Sequence, residues 1–72
     1  MRLLVTFHTT FNVLKLEAAA GKNGIPGRIG PVPRKYSANC GLCWLGPVET
    51  RSSVEALIEE QDVEIDRIYE IE

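Results

Sequence analysis

Four short β-type segments and two helical ones follow one another along this chain in the order β-α-β-β-α-β, within only 72 residues. Residues 2–7 alternate as a strand, with Leu3, Val5 and Phe7 on one face and Leu4 and Thr6 on the other. Thr9 has the chemistry of an N-cap for the helix that follows. In that helix the spacing of Phe11, Leu14 and Ala18 predicts the buried stripe, and Gly21 or Gly24 ends it. Arg28 to Val32 reads as an edge strand, because Pro31 has no amide to give a neighbour. Lys35 to Asn39 reads as a polar loop. Residues 41–46 form a strand apolar on both faces, which suits a central position, and Pro47 closes it. Ser52 and Glu55 have capping-box spacing, with Thr50 as a competing cap, and Val54, Leu57 and Ile58 give the second helix its buried stripe. Ile65 to Ile71 is the last strand, with Ile65, Tyr69 and Ile71 on one face and Ile68 on the other.

Short connections and right-handed crossovers turn this order into one expected architecture. It is an α+β, ferredoxin-like βαββαβ fold: a four-stranded antiparallel sheet of order 4-1-3-2 with two helices on one face. The open face is expected to show Leu4, Ile68 and part of the third strand, a candidate surface for a homodimer. Residues 1–72 are read as a single domain. A domain this short is marginally stable alone, which makes association a reasonable expectation.

Eight Lys and Arg against ten Asp and Glu leave a net charge of −2, which argues against a nucleic-acid partner. Most acids fall in residues 49–72, whereas Arg28, Arg34 and Lys35 could form a local cationic patch near the cysteines. The apolar run near the start is too short for a signal peptide, and no run approaches membrane-spanning length. A cytoplasmic location is therefore expected, where Cys40 and Cys43 read as chemistry rather than a structural disulfide.

The expected topology gathers the end of strand one, the start of helix one and the loop before strand three at one edge of the sheet. Cys40 then lies near His8, Thr9 and Thr10, where unpaired helix amides favour an anion and lower a thiol pKa. Gly41 lets a bulky adduct approach the backbone, or simply bends the chain into the strand. Cys43 points to the opposite strand face from a residue three positions earlier; core filling and a resolving thiol both remain open for it. His8 could pair with a thiolate or merely close the strand, Thr9 and Thr10 cap the helix, and Arg34 either orients an anion or is solvated. Trp44 reads as core or dimer interface. Two Cys and one His fall short of the four ligands of a structural zinc site, so no metal or other cofactor is expected.

Phe7-His8-Thr9-Thr10, Gly24-Ile25-Pro26, Pro31-Val32-Pro33-Arg34, Ser37-x-x-Cys40-Gly41 and the closing Ile68-Tyr69-Glu70-Ile71 together give the chain its family likeness. It resembles the small bacterial selenium/sulfur carrier-like family from the first strand to the last residue. The most specific part is Pro33-Arg34-x-x-Ser37-x-x-Cys40-Gly41. The resemblance implies a carrier rather than a turnover enzyme. Cys40 would hold selenium or sulfur as a persulfide-type adduct, taken from a donor protein and handed to an acceptor. Two other functions fit the residues: a thiol-disulfide redox module using Cys40 and Cys43, and a non-catalytic dimeric ligand-binding or regulatory module.

Overall fold

The alternating apolar segments pair into one sheet in a computed structural model that describes residues 1–36 and 40–72. Ser37, Ala38 and Asn39, which hold the end of the expected polar loop and the motif serine, lie outside the described residues. The elements are β1 (Arg2–Thr6), α1 (Thr10–Lys22), β2 (Arg28–Pro31), β3 (Leu42–Pro47), α2 (Arg51–Glu60) and β4 (Arg67–Ile71), with short 3-10 turns at Arg34–Tyr36 and Val48–Thr50. The sheet is wholly antiparallel in the order β2-β3-β1-β4, so the apolar β1 and β3 are central and Pro31 sits on an edge strand.

Strand parity divides the core in two. Leu3, Val5, Phe7 and Trp44 meet Val13, Leu16, Ala20, Val54 and Leu57 from both helices. On the other face Leu4, Cys43 and Ile71 form a smaller cluster with Val32, Tyr36, Leu45 and Tyr69. Trp44 is almost wholly buried, and its indole lies over two glycines; a methyl group at Gly27 or Gly46 would overlap the ring. Trp44 is thus a core residue of the helix-covered face.

The helices are held at both ends by local chemistry. Thr9 caps α1, its hydroxyl accepting from the Asn12 backbone amide at 3.4 Å and the Asn12 side-chain amide at 2.9 Å. Asn12 Oδ1 in turn accepts from the Glu64 amide at 3.0 Å, tying the start of α1 to the segment before β4. At its C-terminus Gly24 adopts φ +69, while the amides of Gly24 and Ile25 bond back to Gly21 and Ala20, and Ile25 packs on the core. This is a Schellman ending. The same motif closes α2, with Asp62 at φ +55 and Val63 bonding to Ile58.

Four expectations need correction. The buried side of α1 is Asn12, Val13, Leu16, Ala19 and Ala20, whereas Phe11 and Leu14 are exposed at 70% and 52% and Ala18 also faces solvent. The helix is apolar on two sides, and the hydrogen-bonded Asn12 lets the other side turn inward. The Ser52–Glu55 capping box does not form: Thr50 is the N-cap position, its hydroxyl donates to the Pro47 carbonyl, and Glu55 pairs with Arg51. Ile68 lies opposite Val5 and faces the helices with Ile65, so Tyr69 and Ile71 occupy the open face. Leu4 is not displayed there either. It is fully buried, because Tyr36 folds back from its 3-10 turn to lie against Tyr69, with ring centroids 4.7 Å apart and the ring planes tilted by 51°.

Candidate functional site

The entry to β3 is built by the last rungs of the β2–β3 ladder. Pro31 lies opposite Leu42, and the Val32 amide adds one bond to the Gly41 carbonyl at 3.0 Å. Cys40 stands just beyond that bond. Gly41 has φ +75 with open space around its α-carbon, so the conformation rather than crowding calls for glycine. The Cys40 side chain is half-buried against the helix-side core and donates to the Leu42 carbonyl at 3.3 Å.

Cys43 has a different environment. It is fully buried on the other sheet face, beside Leu4 and Ile71, and donates to the Pro31 carbonyl at 3.7 Å. Burial pushes its thiol pKa up, and a neighbouring Cys40 thiolate pushes it further. Arg2 and a backbone hydrogen bond from Gly30 pull the other way without reversing the shift. Both cysteines are free thiols, and they pack against opposite faces of the sheet.

Because Thr6 lies opposite Cys43, the chain entering β3 runs past the end of β1, where His8 and the start of α1 follow. His8 Nε2 is 3.7 Å from Asp66 Oδ1, a carboxylate that sequence reasoning did not single out. Asp66 is fixed by the end of β1. Its amide donates to the Thr6 carbonyl at 2.8 Å, and its Oδ2 accepts from the Thr6 hydroxyl at 3.1 Å. Its only sequence signal was a position just before the last strand, which this topology brings to the His8 edge. Thr9 is the helix cap and Thr10 the exposed first residue of α1. Arg34 is exposed in its 3-10 turn. Arg28 pairs across from Leu45, three rungs from the Pro31–Leu42 pair, so it does not join a patch at the Cys40 end. Among the described residues no cluster of three or more His, Cys, Asp or Glu could hold a metal ion. No helix there is long and apolar enough to cross a membrane.

Such a half-exposed thiol at a loop-strand junction, with its sequence neighbour sealed in the core, can bond to an incoming atom without a second cysteine closing on it. Residues 2–70 match the model of the family described as "Putative Se/S carrier protein-like", and the chain belongs to that family. No curated protein and no solved structure matches it.

Proposed function

We propose that the protein is a selenium or sulfur carrier in which Cys40 holds the transferred atom. The observation that carries this reading is the asymmetry of the two thiols in a member of this family: Cys40 half-exposed at the mouth of β3, Cys43 fully buried on the opposite face. In the simplest step the Cys40 thiolate attacks the outer sulfur of a donor's persulfide. The Cys40 S–S bond forms, the donor's S–S bond breaks and the donor leaves as a thiolate. An acceptor thiolate repeats the exchange, so one sulfane atom moves with no net oxidation. Selenium follows the same balance. Donor and acceptor proteins are thus the partners of this reading.

His8, Thr9, Thr10 and Gly41 are proposed as the surroundings of the adduct, and the exposed Arg34 as a cation able to meet an anionic partner. Counted from the β4 edge the sheet reads 4-1-3-2, and with both helices on one face this supports a ferredoxin-like arrangement. A redox module using Cys40 and Cys43 is disfavoured by their opposed packing, because a disulfide needs β-carbons about 4 Å apart with converging directions. The direct test is adduct formation: incubation with a persulfide donor adds one sulfur mass to the wild type and to Cys43→Ala, but none to Cys40→Ala.

A further inference from the structure

The outer surface of the helix layer carries a knob and a shallow depression that the fold does not use. Phe11 projects from the first turn of α1, 70% exposed, with Leu14 below it. Lys15 Nζ rides 5.9 Å from the Phe11 ring centroid and donates to the Asp62 carbonyl at 3.2 Å. The knob is therefore an aromatic ring with a cationic collar, placed at the end where α2 also finishes. On the outer face of α2, Ala56, Glu59 and Glu60 line a shallow, open depression between the two glutamates and the small alanine. Small residue and anionic pair complement aromatic knob and cationic collar.

We propose that a second copy of this chain occupies this layer, α1 of each protomer lying on α2 of the other about a two-fold axis parallel to the helices. Charge argues for this occupant. Of the two helices in this layer, α1 carries Lys15 and Lys22 against the single acid Glu17, whereas α2 carries Glu55, Glu59 and Glu60 against the single base Arg51, so α1 of one protomer attracts α2 of the other across such an axis. The rotation keeps the Phe11 end of one protomer level with the Glu59–Glu60 end of its partner, and the contact is made twice in one closed dimer. The other two-fold arrangement lays α1 on α1. It brings the flank bearing Lys15 and Lys22 against itself, and like charges oppose it. The interface differs from the sheet-face dimer expected from sequence and does not depend on what Cys40 carries.

Sedimentation equilibrium of the full chain across a protein and salt series tests this. The wild type is expected to dimerise, more weakly as salt rises. Phe11→Ala, which removes an exposed ring, should raise the dissociation constant about tenfold, as should Lys15→Glu and the double change Glu59→Lys/Glu60→Lys. Mixing the two charge-reversed proteins should restore association as a heterodimer, a rescue that damaged folding cannot imitate. A wild type monomeric throughout, a dimer indifferent to Phe11→Ala and the charge reversals, or a mixture that fails to associate overturns the proposal. So does a dimer broken instead by Tyr69→Arg on the sheet face.

Discussion

Cys40 and Cys43 lie three positions apart and pack against opposite faces of the same sheet, one half-exposed with the helix-side core and one sealed beneath Leu4 and Ile71. Strand register fixes Cys43 on the open-face side of β3, while Cys40 lies before the strand, and the positive φ of Gly41 turns the chain there so that Cys40 packs on the helix-side core. The consequence is two thiols of different accessibility within four residues.

Accessibility should set their alkylation rates. Iodoacetamide on the folded protein is expected to modify Cys40 alone, with Cys43 reacting only once denaturant unfolds the sheet. Peptide mapping reads the site directly. Equal labelling of both thiols in the native state would contradict the burial of Cys43. Mild oxidation should likewise leave no intramolecular disulfide, since the two side chains pack against opposite faces of the sheet.

The raised Cys43 pKa has a definite sign in stability. The folded state holds the thiol proton more tightly than the unfolded chain, so above the ordinary thiol range the unfolded state releases it first. Stability contributed by neutral Cys43 is therefore complete at neutral pH and declines as pH rises past the unfolded thiol pKa toward the higher folded value. Denaturant melts from pH 7 upward should show this decline. Cys43→Ala should cost about 1 kcal/mol at pH 7 through the small cavity it leaves, and should flatten the alkaline slope.

Trp44 makes two glycines indispensable for reasons of space. Gly27→Ala and Gly46→Ala each place a methyl group in the indole ring, and about 1–3 kcal/mol of destabilisation is expected from the overlap. Gly21→Ala is the control. It meets nothing within 4 Å and sits in the last turns of α1, so it should stabilise by about 0.5–1 kcal/mol. Thermal unfolding of the three variants separates these signs.

Asp62 occupies the left-handed position that closes α2, where Gly24 performs the same task for α1. A side chain there costs about 1 kcal/mol, and a carboxylate beside a helix C-terminus is further disfavoured. Asp62→Gly is expected to stabilise by about 0.5–1 kcal/mol after the entropy of the unfolded glycine is counted. An unchanged or lowered melting temperature would contradict this.

Much of the architecture was legible because its signals are local. Alternation marked β1 and β3, Pro31 marked an edge, and the N-cap at Thr9 was visible in its chemistry. The phase of α1 was not, since Val13, Leu16 and Ala20 compete with Phe11, Leu14 and Ala18 for the core. Tertiary packing and the bond from Glu64 to Asn12 select the first set. The side of the sheet taken by Ile68 is not legible locally, because Ile65 looks continuous with a regular strand, whereas β4 begins at Arg67. Tyr36 covering the open face and Asp66 beside His8 depend on long-range packing that no local pattern encodes. At the candidate site the prominence of Cys40 was readable from its motif. The sealing of Cys43 required the tyrosine pair and the register.

Intact-mass analysis after reaction with a persulfide-bearing cysteine desulfurase tests the carrier reading most directly. A single sulfur increment is expected on the wild type and on Cys43→Ala, lost on adding a thiol acceptor and absent from Cys40→Ala. An increment that survives Cys40→Ala, or one that requires Cys43, would contradict it.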